Sequence, residues 1–266
     1  MVLSKKEVKL VVNKINYLRV TVIGSGVALP SLRRRSPGLL VETRREKLLF
    51  DCGPDILRGL LNAGVSYQEV DRILITHFHP DHTLGLPHLL FATRYALRPR
   101  ENDLWIAGPP GLEELLEKFR GIYPVWLEEK GYRLREHIIR GRRWSGADWK
   151  LKTAPVEHNP ESIAYRLEAG GKSVVFSGDT GPCDSLIKLA WGADLLVCEA
   201  SFPEEMALPK HLTPSRAGEV ARRAEVKKLL LTHLYPPCDK IDIVGEARRE
   251  FKGPVLRAED GMNLEV

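Results

Sequence analysis

Apolar and polar positions along this chain fall into short blocks of recognisable period. Leu18–Gly24, LRVTVIG, alternates and ends on glycine, the pattern of a strand. GLLVET and KLLFDCG continue as two strands, paired as a hairpin across Thr43–Glu46. From Pro54 to Ala63 the spacing becomes that of a helix, which stops at Gly64. Arg72–Thr76, RILIT, is a short apolar run of the kind a strand buried on both faces shows. Beyond it the pattern predicts helices over Leu84–Leu97, Leu112–Phe119, Pro182–Ala190, Ser215–Ala224 and Val244–Phe251. Strands are predicted over Leu104–Ala107, Arg133–Ile139 and Trp149–Pro155, and again in DLLVCE and KKLLLTH. IAYRLE, the turn AGGK and SVVFSGD read as another hairpin. The strands come in two groups, each followed by helices. The expected class is therefore α/β, as a four-layer αββα sandwich with two sheets face to face. No repeat or shift in composition marks a boundary, so residues 1–266 are read as one domain.

Composition narrows the classes. Apolar residues make up 43% and charged residues 28%, as in an ordinary globular protein. No uncharged apolar run reaches transmembrane length, so no membrane association is expected. Charges run through MVLSKKEVKL, where a secretory apolar segment would sit; the expectation is no signal peptide and a cytoplasmic location. Four scattered cysteines without a CxxC pair argue against a disulfide framework and a separate structural zinc site. The net charge of +5 permits an anionic substrate without requiring one.

The chemistry concentrates in THFHPDHTLG. Three of the eight histidines and an aspartate lie between His77 and His82. His77 and His79 are two apart, so in extended geometry both point the same way. Pro80 then breaks the strand, and Asp81 and His82 follow at the mouth of a helix. Packing three imidazoles and a carboxylate into one turn is costly unless something compensates. Two adjacent metal ions would do so, and the mixed imidazole and carboxylate set suits zinc, with manganese or iron as alternatives. Four ligands are too few for two ions. His158 after KTAPV, Asp179 ending SVVFSGD and His233 ending KKLLLT supply ligand types at strand ends, where sites on sheets commonly lie. Asp179, with two oxygens, is placed to bridge, and water held between two ions becomes a hydroxide nucleophile near neutral pH.

HFHPDH resembles the H-x-H-x-D-H signature of the metallo-β-lactamase superfamily, and His158, Asp179 and His233 follow in the order of that family's later ligands. The stretches GSGVALPSLRRRSPGLLVE, LLFDCGPDILRGLLNAGV, VVFSGDT and LVCEASF…HLTPSRAGEVA…KKLLLTHL narrow the resemblance to the ribonuclease Z-like branch, over roughly Leu18 to Phe251. It implies that His77, His79, His158 and Asp179 hold one metal, and that Asp81, His82, Asp179 and His233 hold the other. It further implies that Asp51 ties down the His77–His82 loop, and that Asp81 accepts a proton from the attacking water. His211, in HLT, stands where the family has a His-Ser-Thr motif, whose histidine stabilises phosphate charge and protonates the leaving oxygen. Glu199, in CEASF, matches the glutamate that would keep His211 charged. Leu212 replaces the usual serine.

The implied activity is a binuclear metal-dependent hydrolase, foremost a phosphodiesterase using a metal-bridged hydroxide on a small-molecule or RNA phosphodiester. The alternatives are a transfer-RNA 3′ processing endoribonuclease and a non-catalytic metal- or nucleic-acid-binding protein of the same fold. Processing members carry a long Gly/Pro-rich arm between the equivalents of His158 and Asp179, whereas here 21 positions separate the two, filled by the hairpin. Arg33–Arg35, in the loop after the first strand, is weighed evenly between phosphate contact and a solvated face. RGRRW, Arg140–Trp144, reads as a solvated face. His88 and His137 read as packing or surface residues. A homodimer rests on the resemblance alone.

Overall fold

The structure, a computed structural model, describes residues 18–139 and 143–266. The charged MVLSKKEVKL segment and Arg140–Arg142 lie outside the described residues.

Fourteen strands among the described residues form two seven-stranded sheets. The first begins with β1 (Arg19–Gly24), β2 (Gly38–Glu42) and β3 (Lys47–Phe50), continues through β4 (Arg72–Leu74) and β5 (Leu104–Gly108), and ends at β6 (Leu134–Ile138). The second runs from β7 (Arg143–Ser145) through β8 (Trp149–Pro155), β9 (Ile163–Ala169), β10 (Lys172–Phe176) and β11 (Leu195–Glu199) to β12 (Leu229–Thr232). The hydrophobic pattern did not predict three edge strands: β7, which begins in the run read as a solvated face, and two late in the chain. β13 (Val255–Arg257) pairs parallel to β12, and β14 (Asn263–Glu265) pairs antiparallel to β1. Both lie beyond Phe251, where the resemblance ends.

Each sheet opens with antiparallel hairpins and passes to parallel strands. β3, β4, β5 and β6 are parallel, as are β10, β11, β12 and β13. Parallel strands need helical crossovers, and these cover the outer faces. Over the first sheet lie α1 (Ile56–Asn62), α3 (Gly85–Arg94) and α4 (Leu112–Ile122), with the single turn α2 (Pro80–Thr83) leading into α3. Over the second lie α5 (Asp184–Ala190), α6 (Pro214–Arg223) and α7 (Ile243–Glu250). Strands covered on both sides carry continuous apolar runs rather than alternation. β2 and β11 are buried at every residue.

Three apolar clusters follow from these layers. Val20, Val22, Phe50 and Leu74 meet Tyr165, Leu167, Val197 and Leu230 between the sheets. Ile56, Leu60, Leu86 and Leu90 pack on Ile73 and Ile106 outside the first sheet. Leu186, Val220, Ala221 and Ala247 pack on Leu196 and Leu231 outside the second. Each of the buried Val, Leu, Ile and Phe side chains contributes about 1.5–3 kcal/mol relative to exposure. The predicted αββα sandwich is the observed architecture. Among the described residues no helix is long and apolar enough to cross a membrane.

Of the basic runs, Arg34 and Arg35 are structural. Arg34 is buried, donating to Ser25 Oγ, the Ala258 carbonyl and Asp239, and Arg35 pairs with Asp260. Only Arg33 of the three is exposed. Trp144 packs inward: His137 stacks on it at 4.4 Å, and the Arg72 guanidinium lies 4.9 Å from its ring and 5.1 Å from those of Trp105 and Trp149.

Candidate metal centre

The parallel strands of both sheets point their carboxyl ends to one edge of the sandwich, and the loops leaving them carry the candidate residues. His77 to His82 follow β4, and His158 follows β8. Asp179 follows β10, Glu199 ends β11 and His233 follows β12. All seven expected ligands converge. The ligand atoms of His77, His79, His158 and Asp179 lie within 4.8 Å of one another, as do those of Asp81, His82 and His233. Asp179 Oδ1 is 3.4 Å from His82 Nε2 and 3.3 Å from His233 Nε2, while its Oδ2 is 3.8 Å from His77 Nε2 and 4.0 Å from His158 Nε2. Its two oxygens thus face the two groups. Asp81 Oδ2 lies 3.6 Å from His82 Nε2 and 3.7 Å from His233 Nε2.

The imidazoles are held from behind. Asp51 accepts the Thr76 backbone N–H at 2.8 Å and the Thr76 hydroxyl at 2.9 Å, and its Oδ2 accepts His82 Nδ1–H at 2.7 Å. With that hydroxyl proton given to Asp51, Thr76 Oγ1 accepts His77 Nδ1–H at 3.0 Å. A matching relay stands across the site. His233 Nδ1–H donates to Ser201 Oγ at 2.9 Å, and Ser201 donates to Glu199 Oε2 at 2.5 Å. His158 Nδ1–H donates to the Lys210 carbonyl at 3.1 Å, and the Asn159 amide lies 3.0 Å from His79 Nε2. Fixing Nδ1 leaves Nε2 as the free lone pair on His77, His82, His158 and His233.

The consequence is a set of buried polar atoms without hydrogen-bond partners: Nε2 of His77, His82 and His233, and Oδ1 of Asp179. One orphaned buried group costs about 1–3 kcal/mol. Four spread over the two groups are explained by divalent metal binding, and the donor set fits it. Burial and the neighbouring imidazoles hold His77 well below the usual histidine range, in the neutral form a ligand needs. Burial would push the Asp179 carboxyl up, but the imidazoles of His233 and His82 outweigh it and keep it well below the usual range.

Backbone strain marks the same place. Among the described non-glycine residues, Asp51 (φ 59°) and His233 (φ 55°) are two of the three with positive φ, a conformation that persists where surrounding contacts impose it. Close approach shapes the loop as well. A Cβ on Gly85 would lie 2.2 Å from the Gly53 carbonyl oxygen, so only glycine lets α3 begin against the Asp51–Gly53 turn. Fully buried Tyr165 donates to the Ile75 carbonyl at 2.6 Å, and Ile163 N–H donates to the Thr76 carbonyl at 3.1 Å, fastening the loop's root to the second sheet.

His211 sits above this cluster, its ring parallel to that of His233 at 6.0 Å and edge-on to His158 at 5.0 Å. Its Nδ1–H donates to Glu199 at 3.0 Å, leaving Nε2 to face the site. Burial opposes the charged form, yet Glu199 lifts the His211 pKa above the ordinary histidine value. Buried Glu199 also accepts the backbone N–H groups of Thr180 at 2.5 Å and Leu212 at 3.2 Å. Leu212, in place of serine, is fully buried in the core beneath α6. Its backbone N–H, which any residue supplies, makes the contact to Glu199. Thr76, Ser201, Asn159, Tyr165 and the Lys210 carbonyl escaped the sequence reading, because hydroxyls and carbonyls are too common to stand out. His88 lies exposed on α3, as expected of a surface residue.

Comparison with known proteins agrees with this geometry. The family described as beta-lactamase superfamily domain matches residues 46–234. Ribonuclease Z of Methanothermobacter thermautotrophicus is 32% identical, covering 94% of this chain and 97% of that relative. The alignment runs over 302 positions, more than the 266 residues here, so that relative carries insertions this chain lacks. The crystal structure of the metallo-beta-lactamase fold protein YhfI from Bacillus subtilis superposes with a TM-score of 0.82 at 26% identity, covering 95% of this chain and 100% of that one. The short form of human tRNase Z shares the fold, with a TM-score of 0.75 at 24% identity over 92% of this chain and 98% of that one.

Proposed function

The chain belongs to the β-lactamase superfamily, on its ribonuclease Z-like branch, and is a metal-dependent hydrolase; from this premise we propose that it cleaves phosphodiesters with two bound divalent ions. The observation that carries the reading is the second histidine system above the ligands. A hydrolase of activated esters has little need of a proton donor for its leaving group, whereas a phosphodiester that expels an alkoxide does.

His77, His79 and His158 would hold one ion, and Asp81, His82 and His233 the other, with Asp179 shared between them. Zinc is the first choice for such imidazole and carboxylate donors, with manganese or iron as alternatives. When bound, the ions supply Lewis-acid stabilisation of phosphate charge and lower the pKa of water. Asp81 takes up the proton of the attacking water at its carboxylate. His211, kept protonated by Glu199, interacts with the phosphoryl oxygens and gives the Nε2 proton to the departing oxygen. Glu199 acts through His211 as a positioning residue.

The test compares bis(p-nitrophenyl) phosphate and a carboxylic ester on metal-loaded protein. The diester is expected to turn over. His211→Ala should lower kcat by about 10²–10⁴-fold on a dinucleotide that expels an alkoxide, and far less on the nitrophenyl diester, while metal content stays near two ions per chain. Turnover of the ester alone, indifferent to His211→Ala, overturns the assignment.

A second reading, transfer-RNA 3′ processing, is favoured by relatives that carry the name Ribonuclease Z over nearly their whole length. The short His158–Asp179 interval argues for smaller substrates. Cleavage of a precursor transfer RNA at its 3′ side, at rates above those for a cyclic nucleotide, would decide for processing.

A further inference from the structure

Two aromatic rings beside His211 have no part in the scheme above. Phe202 and Tyr235 stack face to face, with centroids 4.3 Å apart and planes inclined by 23°. Phe202 meets His211 edge-on at 5.7 Å, and Tyr235 meets His233 edge-on at 6.2 Å. Both are half-buried, so the pair keeps surface in solvent. Their footing is rigid. Tyr235 N–H donates to the Ser201 carbonyl at 3.2 Å, Cys238 N–H to the Tyr235 carbonyl at 2.9 Å, and Pro236 and Pro237 fix the chain between. Among the described residues the Tyr235 hydroxyl has no hydrogen-bond partner. Met206 and Leu208, 46% and 45% exposed, extend the apolar rim on the segment leading to His211.

A stacked aromatic pair that keeps some surface in water, directly beside a cluster built for charge, is poorly explained as packing. Stacking on aromatic rings is how proteins hold nucleobases without regard to sequence. The geometry points to Tyr235, backed by Phe202, as a stacking platform for a nucleobase next to the scissile phosphate. This inference rests on the phosphodiesterase reading for its choice of a phosphate-linked base.

Calorimetric titration of the metal-loaded protein with adenosine 5′-monophosphate and with ribose 5-phosphate tests it. These two ligands differ only in the base. The expected result is about ten-fold tighter binding of the nucleotide, in line with one stacked base. Tyr235→Leu should erase the preference, and Tyr235→Phe, which keeps the ring, should retain it. Phe202→Leu supplies the same test from the other ring should Tyr235→Leu fail to fold. Equal binding of the two ligands by the native protein, or a preference that survives the leucine variants, overturns the platform. Turnover of bis(p-nitrophenyl) phosphate, run in parallel, separates the two readings. A protein that prefers the nucleotide yet hydrolyses no diester refutes the activity and not the platform; one that hydrolyses the diester without the preference refutes the platform alone.

Discussion

Asp51 offers no atom to the point where the ligands converge, yet His82, Thr76 and through Thr76 also His77 depend on its two oxygens. Outer partners of this kind set ligand tautomer and basicity, and losing one typically costs 10–100-fold in metal affinity. Asp51→Ala is therefore expected to lower metal affinity by about that factor, read by competition with a chromogenic chelator, while all seven ligand residues remain. Asp51 was legible in FDCG only through the resemblance. The seven candidate ligands were more open to view, because imidazoles and carboxylates at strand ends are few and chemically distinct. Ser201 and Thr76 do the same kind of work as Asp51, but their role arises from tertiary contacts between segments far apart in sequence.

Elements carry the next set of constraints. The β2–β3 turn presents Glu46, which grips Arg72 of β4 with both oxygens at 2.8 Å and accepts the Trp149 indole N–H from the second sheet. Burial would raise the Glu46 pKa, but Arg72 and Trp149 outweigh it and lower it below the ordinary glutamate value. A carboxyl depressed in the folded state stabilises above its unfolded pKa, and that stabilisation is lost as pH falls through the folded value. Glu46→Gln should therefore cost about 1–3 kcal/mol in urea denaturation at pH 7. The gap to the native protein should narrow as the pH drops below the ordinary glutamate value.

Gly85 is the second element-level constraint. Gly85→Ala forces a methyl against the Gly53 and Cys52 carbonyls, at 2.2 and 2.7 Å, and should destabilise by about 1–3 kcal/mol in the same assay. Because α3 starts one turn after His82, metal content should fall as well. The long strands and helices were readable from periodicity because burial on one or both faces imposes it. β13 and β14, three residues each, are too short to show a period, and their pairing is decided by partners more than 20 and 200 residues away.

At the scale of the whole molecule, the two sheets are fastened at their outer edges by the last stretch of chain. Between β13 and β14, Asp260 accepts the backbone N–H of Ser25 at 2.9 Å and of Arg35 at 2.7 Å, and Gly261 and Met262 exchange backbone hydrogen bonds with Val22. Truncation after Gly253 removes both edge strands and these ties. Its expected result is a loss of soluble protein on expression and, in whatever remains, loss of the cooperative thermal transition seen by circular dichroism. The sandwich itself was legible from grouped strands and helices. The way its ends are closed was not, because closure depends on contacts between the two extremes of the described chain.

That closure bears on how the protein is made. Thr21 bonds to Asn263, 242 positions later. A ribosome delivers the chain from its start, so β1 leaves the exit tunnel long before its neighbour β14 has been synthesised, and waits with one margin unpaired. Metal loading is accordingly expected after β14 has emerged and paired, not while β1 still waits for its neighbour.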